Sequence, residues 1–359
     1  MRFVPDPSGP GRGSARTAPE AGRDGLPPPA RTARFTHPGR ERTVSPLPPI
    51  PEAFLGRTIR LPNEYEVVYQ SKAEARYFYH DIFEKRVYLR HGFTLGDGDC
   101  VFDVGGNIGL FTLFVHSLGH RVDSFTFEPA PRVFEILRVN ASRYAPRARV
   151  FNYGISDRTT EAEFTFYPNS PGMSTFHPRL EDERETLLAI MENQLREGMD
   201  GMERVMRHAD DLLEERFRAE TFRCTLRPLS QVIYEHRVER IDLLKVDCQK
   251  SEMQVLDGIE PADWPRVRQV VLEVHDLDGA LGKVTGLLDR HGFDLVVEQD
   301  DMYVGSHLYN LYARRPRPAS HPAGSGAAVL ERAHARAEQQ RGAADRQRSA
   351  AARARGRSE

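Results

Sequence analysis

A chain of 359 residues with a net charge of −2, 39% hydrophobic and 28% charged residues has the length for one large domain or two smaller ones. Its three cysteines, Cys100, Cys224 and Cys248, are too few and too scattered for a disulfide framework or a zinc cluster, and no run of about 18 apolar residues that would span a bilayer occurs. With Arg and Pro where a secretory signal carries its apolar stretch, the composition points to a cytoplasmic chain with no membrane partner.

The near-neutral total hides an asymmetry. Residues 1–50 are rich in Pro, Gly and Arg, with 8 Arg against 4 acids, and predict a disordered arm; residues 314–359 carry 11 Arg against 4 acids and predict a disordered basic Ala/Arg-rich tail. The body between them, 51–313, is therefore strongly acidic. An acidic body without an interleaved basic and aromatic stripe argues against nucleic acid as a partner.

Along that body, the stretch 71–91 predicts a helix with an aromatic stripe at Tyr77, Phe78, Tyr79, Phe83 and Tyr88, read as core packing before ligand contact. Strands are predicted at 100–105, 122–128, 148–153, 241–247 and 267–274, and helices at 108–118, 131–143, 251–258 and 279–291. Apolar strand-length runs alternating with helical periods describe a parallel sheet covered by helices. A helical insertion, expected over 171–225, interrupts the alternation and is placed to cap a site. The stretches 293–299 and 307–313 predict an antiparallel hairpin that closes the sheet.

The strongest local signal is Asp103-Val104-Gly105-Gly106-Asn107-Ile108-Gly109, a strand ending in a glycine-rich turn that opens an apolar helix. Glycines let the backbone approach a ligand closely, and Asn107 stands where it could cap the helix. Glu128 ends the next strand, where a carboxylate reaches ribose hydroxyls. A dinucleotide turn would want glycine in place of Val104, and a pyrophosphate would avoid Asp103. An aspartate there suits a cofactor with an ammonium group, as S-adenosylmethionine has. Ser156 and Asp157 follow the third strand, and Asp157 could accept from an adenine amino group.

FDVGGNIGLF, FEPAP, NYGISD and LLKVDCQKSEMQVLDGI, in this order, resemble the FkbM-type methyltransferases, and in particular the branch found in polyketide and nonribosomal peptide pathways. The resemblance covers the whole body. It implies a class I methyltransferase fold: α/β, doubly wound, with a mostly parallel seven-stranded sheet, an antiparallel C-terminal hairpin and a helical insertion. It also implies S-adenosylmethionine as methyl donor and a hydroxylated small-molecule acceptor, free or tethered to a carrier protein. By position, Asp103, Gly105 and Asn107 would hold the methionine end of the cofactor, Glu128 the ribose, and Ser156 with Asp157 the adenine. One departure stands out: where the family has Asp-Val-Glu-Gly, this chain reads Asp247-Cys248-Gln249-Lys250.

Catalytic groups belong at the carboxyl ends of strands, which selects Asp247 and His275. A histidine can be neutral at physiological pH and take a hydroxyl proton, so His275 is the favoured base, with Glu273 on the same strand face. A magnesium site from Asp247, Glu252 and Glu273 is not carried forward, because no dense oxygen-ligand motif is present. Met173, Ser174, Thr175 and His177 are the expected substrate-side contacts. Two other readings share the sheet: a nicotinamide-dependent oxidoreductase, and a cofactor-binding module that has lost its chemistry at Gln249 and Lys250.

Overall fold

The computed structural model describes residues 47–199, 201–316 and 330. The arm expected over 1–50 and the tail expected over 314–359 lie outside these, apart from 47–50, 314–316 and 330. A short hairpin of β1 (Thr58–Arg60) and β2 (Glu66–Val68) leads into helix α1 (Lys72–Tyr79), capped by the Ser71 hydroxyl. Then come β3 (Cys100–Val104), α2 (Leu110–Ser117), β4 (Asp123–Phe127), α3 (Pro131–Tyr144) and β5 (Ala148–Phe151). The chain continues through β6 (Gly154–Ser156), β7 (Thr160–Phe166), α4 (Leu180–Arg196), α5 (Met202–Arg207) and α6 (Ala209–Arg216). It closes with β8 (Glu220–Pro228), α7 (Leu229–Glu235), β9 (Leu243–Val246), α8 (Glu252–Asp257), β10 (Gln269–His275), α9 (Ala280–Arg290), β11 (Asp294–Glu298) and β12 (Leu308–Arg314).

The central sheet has seven strands in the order β11-β12-β10-β9-β3-β4-β5, parallel except for β12, which runs antiparallel to both neighbours. This is the mostly parallel sheet with a C-terminal hairpin that the alternation predicted. The period of two in each strand sorts its residues between two layers. Phe102 and Val104 of β3, with Leu244 and Val246 of β9, pack into one core alongside α7, α8 and α9. Val101 and Leu243 enter the other, with Ile82, Leu113 of α2 and Ile136 of α3. The first six residues of α2, Leu110 through Val115, are all buried, and all but Thr112 are apolar.

Two features depart from the sequence reading. Residues 220–225, assigned to the helical insertion, are strand: β8 pairs with β7 and β6 in a second, three-stranded sheet. Its alternation in TFRCTLR is a strand signal that Arg and Thr dilute. At the other end β12 runs one residue past 313, and the Arg315 guanidinium donates to the carbonyls of Trp264, Val267 and His291. No helix among the described residues is long and apolar enough to cross a membrane.

The chain runs outward from β3 to β5, then returns to lay β9 against the other side of β3. Loops leaving the carboxyl ends of β3 and β9 therefore diverge, and the crevice between them is where such sheets bind ligands.

Candidate functional site

The turn after β3 fits only a bare backbone. Gly105 has φ 80°, and a Cβ there would stand 1.8 Å from the Asp247 carbonyl oxygen at the end of β9. At Gly106 a Cβ would meet Thr126 Cγ2 at 2.4 Å. The capping position of α2 is Gly109, in the left-handed region, so Asn107 is not the helix cap. Asn107 itself adopts φ 47°, accepts the Ile108 N–H on Oδ1 at 2.7 Å, and sends its own N–H to Glu128 Oε2 at 2.9 Å. The other Glu128 oxygen accepts the Ala130 N–H at 2.9 Å. One carboxylate thus ties the turn after β3 to the turn after β4, with a second lone pair on each oxygen left over. Burial pushes the Glu128 carboxyl up to about 7, partly offset by these two N–H donors.

Asp103 is not at the surface of the cavity. It is fully buried, and the cavity lining passes from Val104 to Gly105 without it. The strand register sets Asp103 opposite Lys245, whose ammonium lies 3.1 Å from its carboxylate, and the Thr112 hydroxyl donates to it at 2.8 Å. The expected contact between Asp103 and a ligand ammonium is therefore replaced by an internal cation. Lys245 also donates to the Gly105 carbonyl at 2.7 Å and lies 3.6 Å from Asp247. Burial works against its charge, but the two carboxylates outweigh it and keep the ammonium protonated. Asp103 and Lys245 thus fix the glycine turn from beneath. Lys245→Met should cost about 3–5 kcal/mol, because it strands a buried carboxylate, and adding Asp103→Asn should recover much of that loss. Urea midpoints of the two variants decide this; an unchanged midpoint in the single variant would refute it.

Asp247 and His275 stand at the carboxyl ends of β9 and β10, and both line the cavity. The Tyr88 hydroxyl donates to Asp247 at 2.9 Å. His275 Nδ1 meets Glu252 Oε1 of α8 at 3.0 Å, with both side chains buried. The same Glu252 oxygen accepts the Lys250 N–H at 2.9 Å. A carboxylate on Nδ1 fixes the tautomer with its proton there and leaves Nε2 as the basic nitrogen. Glu273, expected beside His275, does line the cavity two residues before it, but the hydrogen-bonding partner is Glu252. Among the described residues no group of three or more His, Cys, Asp or Glu is arranged to hold a metal ion.

The Gln249-Lys250 departure also has a structural meaning. Lys250, where the family pattern has glycine, adopts φ 71°, and Gln249 adopts φ 48°. The Lys250 ammonium is ion-paired with Glu183, a buried residue of α4, so this substitution ties the helical segment to the end of β9.

Of the expected substrate contacts, Met173 and Ser174 line the cavity; Thr175 and His177 do not. Thr175 is fully buried and donates its hydroxyl to the Gln249 carbonyl at 2.6 Å, while His177 Nε2 lies 3.3 Å from the Gln254 amide. Ser156 and Asp157 are likewise outside the lining, which Gly154 and Ile155 supply in their place. The Ser156 hydroxyl donates to Asp157 at 3.1 Å, and its carbonyl is packed on Gly258 behind α8. The aromatic stripe divides: Tyr77, Phe78 and Tyr88 line the cavity, whereas Tyr79 and Phe83 stack on each other outside its lining. Sequence reasoning missed Lys245, Glu74 and Tyr303. A lone lysine inside the apolar run LLKV was the available signal for the first.

Residues 103–295 match the model of the methyltransferase FkbM domain. The chain is 44% identical over 260 residues to 31-O-demethyl-FK506 methyltransferase FkbM of Streptomyces tacrolimicus, covering 72% of this chain and 96% of that one. It is 42% identical over 268 residues to part of the AMB antimetabolite synthetase AmbE of Pseudomonas aeruginosa, covering 72% of this chain and 12% of that protein. It is 31% identical to methyltransferase sdnD of Sordaria araneosa, over 63% of this chain and 84% of that one.

Proposed function

Because the chain belongs to the FkbM methyltransferase family, we propose that it methylates a hydroxyl oxygen of a small secondary-metabolite acceptor, with S-adenosylmethionine as donor. The observation that carries this reading is the sharing of one cavity by the glycine turn, the Glu128 carboxylate and the Glu252–His275 pair. The turn fits the group: Gly105 and Gly106 leave a backbone that side chains would fill, and Glu128 keeps acceptor capacity for two hydroxyls. Gly105, Gly106 and Asn107 would hold the methionine end and Glu128 the ribose. The name of the Streptomyces relative, a methyltransferase of an O-demethyl compound, favours oxygen as the acceptor atom.

S-adenosylmethionine, when bound, supplies an electrophilic methyl on a sulfonium. The cavity walls would orient the acceptor oxygen toward that methyl and exclude water, a contribution of roughly 7–11 kcal/mol for well-oriented reactants. His275 Nε2 would take the acceptor hydroxyl's proton. Glu252 then faces the imidazolium charge.

Calorimetric titration tests the reading: S-adenosylmethionine should bind and NAD should not. With its pKa near 7, Glu128 carries a proton below neutrality and a charge above it. Accepting ribose hydroxyls favours the charged form, so affinity should rise about tenfold between pH 6 and pH 8, and Glu128→Gln should bind weakly at both. Absence of S-adenosylmethionine binding by the full chain would overturn the proposal.

A further inference from the structure

The cavity extends past the glycine turn to a far end walled by α1, the 171–174 turn and α4. Its charges are one-sided. Among the described lining residues, carboxylates besides Glu128 and Asp247 come from Glu74, Asp81, Asp182, Glu183, Glu273 and Asp300, while no arginine contributes and the two lysines are spent. Lys245 is held by Asp103 and Asp247, and Lys250 by Glu183. His275 is held by Glu252, and His307 lies 3.8 Å from Glu185.

Three carboxylates of this wall, Asp81, Glu183 and Glu74, keep a buried oxygen without a hydrogen-bond partner, the first two while ion-paired with Lys85 and Lys250; Glu74 stands against the 171–174 turn. It is 3% exposed, and its Oε2 accepts the Gly172 N–H at 3.1 Å, but the buried Oε1 has no hydrogen-bond partner. A buried carboxylate oxygen without a partner carries a desolvation penalty that a ligand donor would remove. Tyr77, one turn along α1, points its hydroxyl to Tyr303 at 2.8 Å on the cavity wall, and Arg216, outside the lining and hydrogen-bonded to Ser170, is the cation that acts on Glu74.

We propose that this far end is the acceptor subsite and that Glu74 is its specificity-determining residue, selecting acceptors that present a hydrogen-bond donor or a positive charge and rejecting anionic ones. The inference rests on the methyltransferase reading of the same cavity and adds the class of acceptor. An acceptor amine or hydroxyl gives Glu74 Oε1 the partner it lacks. A carboxylate or phosphate entering the same space meets carboxylates on several sides and no uncommitted cation, and desolvating it there is unfavourable.

Three shape-matched phenols test this on the full chain saturated with S-adenosylhomocysteine: tyramine, tyrosol and 4-hydroxyphenylacetate, which end in an amine, an alcohol and a carboxylate. Calorimetry should show tyramine binding at least about tenfold more tightly than 4-hydroxyphenylacetate, with tyrosol between, the factor expected of one charge-assisted hydrogen bond. Glu74→Gln should lose that amine preference by about tenfold while S-adenosylhomocysteine affinity stays unchanged, and Glu74→Asp should keep it. Equal binding of amine and carboxylate, binding of none of the three, or an undiminished preference in Glu74→Gln overturns the proposal. If S-adenosylhomocysteine itself does not bind, the methyltransferase reading falls with it; if it binds and the series is flat, only the acceptor inference fails.

Discussion

Gly105→Ala should abolish S-adenosylmethionine binding and lower the melting temperature by on the order of 10 °C. Two costs combine at this position. An alanine at φ 80° is strained by about 1–2 kcal/mol. Its Cβ would also stand 1.8 Å from the Asp247 carbonyl oxygen and 2.9 Å from the carbonyl carbon, backbone atoms that cannot swing aside. Relief requires the ends of β3 and β9 to part, which pulls Lys245 off the Gly105 carbonyl and opens the crevice where the ligand would sit. Gly98→Ala is the control, because Gly98 has φ 81° and an added Cβ would meet nothing within 4 Å. It should show the strain alone, a drop of about 2–4 °C, with binding intact. Thermal unfolding and calorimetry read both; equal losses in the two variants would show that backbone strain, not the contact with Asp247, governs the turn.

His275→Ala should reduce turnover by about 10² to 10⁴ while S-adenosylmethionine affinity changes by no more than about threefold. Glu252→Gln separates positioning from proton acceptance. It keeps the shape but removes the negative charge facing Nδ1, which is 3.0 Å away, so it should slow turnover, though less than His275→Ala. Near-normal turnover by His275→Ala from pH 6 to pH 9 would remove the imidazole from the reaction.

Much of the architecture was legible because it depends on local pattern. Strands such as CVFDV and QVVLEVH are buried on both faces and read as continuous apolar runs; the glycine turn needs dihedrals that the residue type announces. Glu128 was placed by its distance along the chain from that turn, and it does reach it, through the Asn107 N–H. The three-stranded sheet was hidden, since in β8 exposed Arg and Thr alternate with Cys224 and Leu226 over too short a span to outweigh the helical segment before it.

The sequence by itself determined the order of elements, the bend at Gly105 and the carboxylate at Glu128, all consequences of residues close together in the chain. Only the tertiary structure decided which charges meet. Asp103 and Lys245 are 142 residues apart in number, and nothing local says that they face each other across a parallel register and cancel, so that Asp103 supports the turn and does not reach the cavity. Likewise Glu252 reaches His275 from a helix, and Glu183 reaches Lys250 from α4. Burial makes such pairings obligatory, because a charge taken out of water must find a partner, but the fold chooses which partner it finds.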